Sequence, residues 1–237
     1  MRAQSHVVGV ALLLGVTAVA LGTLTVTVGE LVESSTASAD AARVADELDA
    51  ALQPVETTGP HAGQVHFAGG SLGSVEREIR VLENGSVVAG HSAGALVFES
   101  GDRRVASVAG AVVRGRPGAA WFTARPPILA SNRTSVLVVG VPRLGVDHVA
   151  VAGRGGTTVT LRTNLSHART DLGEGNFAVA VETATPRPFE RYFESQNATV
   201  TRQDLDGDGI ESVVAEYPGR RQGYLVVHDL SLEVAGG

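Results

Sequence analysis

From Val7 to Gly29 the chain carries an unbroken run of uncharged, mostly apolar residues, beginning six residues from the amino terminus. As a helix rising 1.5 Å per residue, the run would be roughly 30 Å long, the thickness of a bilayer's hydrocarbon core. Arg2 precedes it, and the acidic Glu30, Glu33 and Asp40 follow. By the positive-inside tendency the arginine stays in the cytoplasm, so everything beyond Gly29 is expected outside the cell. On this reading the chain is a single-pass cell-membrane protein with an extracellular carboxy-terminal domain.

Helical periodicity continues past the apolar run. Between Glu30 and Gln53 there is neither glycine nor proline. Leu31, Val32, Ala37, Ala41, Val44, Ala45, Leu48 and Leu52 recur at steps of three and four, while Glu33, Asp40, Arg43, Asp46, Glu47 and Asp49 fall on the opposite face. Pro54 biases Gln53 away from helical geometry and ends the pattern. The spacing predicts one helix over residues 4–53, about 75 Å long, with a membrane-spanning half at 7–29 and an amphipathic half beyond.

Past a linker expected at 54–62 the period changes to that of strands. Asn84-Gly85 and Gly101-Asp102 mark two hairpins. Further strands are expected around Ala111–Val113, Val136–Val141, Thr157–Thr163, Phe177–Glu182, Ala198–Arg202, Ser212–Tyr217 and Gly223–Leu232, with one short helix over Pro188–Ser195 that places Phe189 and Phe193 on one face. Residues 63–237 therefore read as a mostly antiparallel β domain, a sandwich or distorted barrel. The fold class expected is α+β: a long amino-terminal helix followed by that domain.

Composition narrows the function classes. Aromatic residues make up only 4%, so the core must be built from Val, Ala and Leu. There is no cysteine, which excludes disulfides and thiolate metal sites. All nineteen basic residues are arginine, a bias that a GC-rich genome or a salty habitat would produce. The net charge of −6 argues against a nucleic-acid partner, which needs basic patches.

The stretch from Arg2 to Val10, Arg-Ala-Gln-Ser-His-Val-Val-Gly-Val, resembles the class III signal peptide of archaeal type IV pilins, haloarchaeal ones in particular. The resemblance implies that a prepilin peptidase cuts between Ala3 and Gln4, making residues 1–3 a leader, with Arg2, Ala3 and Gln4 forming the processing site. It implies that the apolar run is kept, sits among membrane lipid before assembly, and then packs against other pilin-like subunits. Position 6 holds His where haloarchaeal members often have proline, and Val8 stands where bacterial pilins carry glutamate. The motif covers about the first thirty residues. An uncleaved signal anchor and a secretory peptide cut after Ala37-Ser38-Ala39 are the alternatives, the latter disfavoured by its distance from the apolar run.

Elsewhere, Asp204-Leu205-Asp206-Gly207-Asp208-Gly209 alternates carboxylates with glycine as calcium loops do. Asp204, Asp206 and Asp208 are the candidate ligands, with Glu211 or Glu216 as additional ones; an EF-hand's acid at position twelve is replaced by Ala215. The bland alternative is an acidic hairpin turn. No cofactor is required, and calcium is the one ion these residues would take. Asn84, Asn132, Asn164 and Asn197 head Asn-x-Ser/Thr sequons, glycosylation acceptors if exported. His61, His66, His91, His148, His167 and His228 lack metal-ligand spacing, and Gly153-Arg154-Gly155-Gly156 lacks the context of a phosphate loop, so no enzyme is expected. Trp121-Phe122 beside Arg116 and Arg125 reads either as core or as an exposed contact site.

The functional expectation is a pilin-like or pseudopilin-like subunit of a surface filament or secretion-type machine, held in the membrane by its helix. The alternative is an anchored, adhesin-like binding domain that does not polymerise.

Overall fold

A computed structural model describes residues 16–17, 32, 34–52, 57–116, 118–146 and 148–236. Helix α1 covers 34–52. Fifteen strands and a second helix follow: β1 (Gly59–Val75), β2 (Glu78–Glu83), β3 (Ser86–Ser92), β4 (Ala95–Ser100), β5 (Arg103–Val108), β6 (Ala111–Arg116), β7 (Ala119–Ala124), β8 (Ile128–Ser131), β9 (Val136–Arg143), β10 (Ala150–Gly175), β11 (Phe177–Glu182), α2 (Pro186–Ser195), β12 (Thr199–Gln203), β13 (Ser212–Glu216), β14 (Arg221–Asp229) and β15 (Glu233–Gly236).

The strands form two sheets. The large one runs β7-β6-β5-β4-β1-β10-β14-β9-β8, with β15 also paired to β10; the small one runs β12-β13-β11-β2-β3. Pairing is antiparallel except between β14 and β9. Strand β10 joins the two halves of the large sheet, since residues 150–165 pair with β1 and residues 166–175 with β14.

Successive residues of β6 show how the layers stack. Val112 packs into the cluster built around α1, whereas Ala111 and Val113 pack into the cluster beneath the small sheet. Side chains alternate across a strand, so the large sheet is covered by α1 on one face and by the small sheet with α2 on the other. The first cluster holds Val44, Leu48 and Leu52 against Phe67, Leu72, Phe98, Leu161 and Leu232. The second holds Val179, Val181 and Val213 against Leu137, Val139 and Val141, with Phe189 and Phe193 of α2 beside them.

Helix α1 is seated by its stripe and by two carboxylates. Ala37, Ala41, Val44, Ala45, Leu48, Ala51 and Leu52 are buried, at the spacing of one helical face. Asp40, expected on the solvent face, is 3% exposed. Its Oδ2 accepts hydrogen bonds from the backbone N–H groups of Ala68 (2.8 Å) and Gly69 (3.2 Å), where the β1–β10 register shifts between Phe67 and Gly69. Two turns on, Glu47 accepts from the N–H of His66 at 2.6 Å and meets its Nδ1 at 3.0 Å. At Gly63 the helix lies so close that an added Cβ would stand 2.5 Å from that of Ala51.

Three expectations are corrected here. Among the described residues the fold is mostly β, with 60% strand against 16% helix, and a long amino-terminal helix is not seen; the α+β class is therefore overturned. The described helix of this region, 34–52, is amphipathic and lies flat on a sheet, because its apolar stripe finds Leu72, Phe98 and Leu161 there. Second, among the described residues no helix is long and apolar enough to cross a membrane, which overturns the expected transmembrane helix. Third, the same finding removes the basis for single-pass cell-membrane localisation with an extracellular domain. Apart from Val16 and Thr17, the run Val7–Gly29 lies outside the described residues, as does the processing site Arg2, Ala3 and Gln4. Strand β1 begins at Gly59, within the stretch expected as linker.

Candidate functional site

The outer face of the small sheet brings together more ionisable groups than its alternation alone would place there. Ile79 and Val81 of β2, Val179 and Val181 of β11, and Val213 and Ala215 of β13 point into the core. Their neighbours Leu82, Ala180 and Val214 face outward and form a small apolar patch covered by Leu205. Leu205 belongs to the acidic loop 204–209, so the loop is plugged onto the sheet by one side chain.

Around that plug lie the charges. Glu182, the last residue of β11, is 3% exposed. It pairs directly with Ser212 of β13, which pairs in turn with Gln203 of β12. Directly opposed residues of an antiparallel pair share a face, so Glu182 and Ser212 point to the same side. The Ser212 hydroxyl is buried, 1% exposed by residue, and has no hydrogen-bond partner. One oxygen each from Glu182, Asp206 and Asp208 lie within 4.8 Å of one another.

Two arginines reach into this group. Arg80 Nη2 donates to Asp206 Oδ2 at 2.6 Å and pairs with Glu78 at 2.7 Å. Arg77 Nη1 lies 3.4 Å from Glu182 Oε1, and the Glu78 N–H donates to Glu182 Oε2 at 3.2 Å. Burial pushes the Glu182 carboxyl above its usual range; Arg77 opposes the shift, while Asp208 and Asp206 add to it. Asp206 is held below its usual range, chiefly by the hydrogen bond from Arg80.

The structure redistributes the ligands expected from sequence. Asp206 and Asp208 are in the cluster. Asp204 is not: its two oxygens accept from the N–H groups of Gly207 (2.8 Å) and Gly209 (3.1 Å), which folds the loop. Glu211 pairs with Arg202 at 3.6 Å, and Glu216 sits exposed at the far end of β13. The missed members, Glu182 and Ser212, end and begin strands far apart in sequence. Their signal was a Glu closing the apolar strand Phe177–Val181, legible only once β11 is known to pair with β13.

The remaining candidates are dispersed. Asn84, Asn132, Asn164 and Asn197 are all exposed. His61 Nε2 bonds the Thr57 carbonyl, and His66 belongs to the α1 seat. Burial and then Arg143 push His91 below its usual value. His167 and His228 oppose each other across β10 and β14, their Nδ1 atoms 2.9 Å apart. Trp121 is 46% exposed on edge strand β7, with the Arg114 guanidinium 5.2 Å from its ring centroid, while Phe122 turns inward onto Phe189.

A separate cleft of about 530 Å³ lies between β5–β7 and the start of α2. Arg103, Arg104, Arg114, Arg116, Arg187 and Arg202 line it, against Glu99 and Asp102 as its acids.

Residues 2–233 match a family described as "Family of unknown function (DUF7289)", and the chain belongs to that family. No curated protein and no solved structure matches it.

Proposed function

We propose that this member of the DUF7289 family is a structural, non-enzymatic subunit that associates in pilin fashion with further copies or with other pilin-like subunits. The associating surface is the apolar run Val7–Gly29, trimmed by a prepilin peptidase between Ala3 and Gln4. The part displayed is the β-rich body.

The observation that carries the reading is the seat of α1. Seven buried apolar residues and the two carboxylate clamps, Asp40 and Glu47, fasten 34–52 along β1. A helix held this way transmits a load applied upstream of residue 34 directly to the large sheet, as a displayed head requires.

Gly15 and Ala18 are small residues of the kind that let helices approach closely. Replacing both (Gly15→Leu with Ala18→Leu) keeps the run apolar but fills that space. Cross-linking of the native chain is expected to give multimers that the double variant loses. Monomers in both cases, or equal cross-linking, would overturn the reading.

The arginine-lined cleft favours a second reading, a binding body that does not polymerise. Glu99, Asp102, Glu190 and Glu211 pair with Arg103, Arg104, Arg116 and Arg202, which leaves a surplus of positive charge along this concavity that suits an anionic ligand. Retention of a monomeric native chain on a polyanionic glycan resin, released by salt, is the outcome that selects it.

A further inference from the structure

We propose that Glu182, Asp206, Asp208 and Ser212 form a calcium site that pins the 204–209 loop to the small sheet. The proposal is independent of the assembly reading, since it concerns the body alone.

Two observations converge on it. The first is the carboxylate geometry. Two oxygens on one calcium ion, each at 2.3–2.6 Å, lie at most about 5 Å apart, whereas on magnesium the limit is about 4 Å. Oxygens of Glu182, Asp206 and Asp208, all within 4.8 Å of one another, lie inside the calcium limit, and an all-oxygen set of carboxylates and a hydroxyl is the kind calcium takes in its flexible geometry. The second is the Ser212 hydroxyl, buried without a partner beside Glu182 on the same sheet face. A buried hydroxyl without a hydrogen bond is costly, and an ion held by the neighbouring carboxylate gives its oxygen a partner.

The arginines do not remove the need for a cation. Three carboxylates in the cluster and Glu78 beside them face only Arg80 and Arg77. One divalent ion balances the excess of two negative charges. It would tie the end of β11 to the start of β13 and to the loop between β12 and β13. The loop would then be held by ion ligation at its polar side and by Leu205 at its apolar side.

The test is thermal unfolding of the full chain, stripped with chelator and then titrated with calcium chloride. Magnesium chloride and sodium chloride at matched ionic strength serve as comparisons. At a hundredfold excess over the dissociation constant, calcium is expected to raise Tm by roughly 5–10 °C, with a smaller effect of magnesium. Glu182→Gln keeps an acceptor for the Glu78 N–H and should abolish the calcium shift without losing the fold. Asp208→Asn should do the same. Asp204→Asn, which keeps one of the two acceptors that fold the loop, should retain the shift, and Ser212→Ala should lower calcium affinity several-fold. No calcium shift in the native chain, an equal shift with magnesium, or a full shift in Glu182→Gln would overturn the proposal.

Discussion

Asp40 Oδ2 accepts hydrogen bonds from two consecutive backbone N–H groups, at Ala68 and Gly69, where the ladder between β1 and β10 breaks step. The register shift leaves donors that the neighbouring strand does not satisfy, and a carboxylate from the helix satisfies them instead. Asp40→Ala would leave these two part-buried donors without their acceptor, so a loss of about 1–3 kcal/mol is expected by chemical denaturation. Asp40→Asn retains a carbonyl acceptor and should cost less. Equal losses would show that charge, not acceptance at the bulge, is what matters.

The contact between Gly63 and Ala51 makes a prediction about how helix and sheet fit. Gly63→Ala should lift α1 and destabilise the protein, because the new methyl stands 2.5 Å from the Ala51 Cβ. Ala51→Gly alone costs about 1 kcal/mol in helix propensity. The double variant should therefore lose less than the two single losses added together. Strict additivity in denaturant titrations would mean that the two groups do not meet.

Leu48 is fully buried between α1 and the large sheet. Leu48→Ala should cost about 2–5 kcal/mol, whereas a change at the exposed Asp46 should stay within about 0.5 kcal/mol. Similar losses at both positions would contradict the seat of the helix.

Acid sensitivity follows from two histidines. Burial and then His167 push His228 below its ordinary value of 6.5, and burial and then Arg143 do the same for His91. The unfolded chain takes up these protons first, so both groups contribute stability that is complete above pH 6.5 and falls away as pH drops towards their folded values. Melting temperature measured from pH 8 to pH 5 should decline below that point. His228→Gln should remove part of the decline and a double change with His91→Gln more of it. An unchanged slope would sink the assignment.

Local signals in the sequence were the ones the structure retained. Asn84-Gly85, with φ of 49° and 80°, turns β2 into β3 as Asn-Gly hairpins do, and β11 falls on Phe177–Glu182 as its apolar run indicates. The stripe from Ala37 to Leu52 was legible too. Long-range facts were not. Asp40 looks solvent-facing by helical spacing alone, because nothing local announces a bulge 28 residues away. The length of β10 was hidden by polar residues such as Arg162, Ser166 and Arg169, which break the apolar pattern while the ladder continues through them. Glu182 and Ser212 required the pairing of β11 with β13 before they could be seen as neighbours. Helical periodicity from Ala37 to Leu52 marked which face of that segment is apolar but not its partner, and in the structure that face found a sheet.

The position of β10 and of the last strands sets the order in which this protein can be made. Helix α1 leaves the ribosome early, but its stripe is covered by Val159, Leu161, Leu165, Leu230 and Leu232. At ordinary translation rates the helix waits roughly 10–40 s for those residues. Until then the stripe has only the earlier members of its cluster, such as Phe67, Leu72, Leu96 and Phe98, to pack on. A chain truncated before Leu230 leaves synthesis with that stripe incompletely covered.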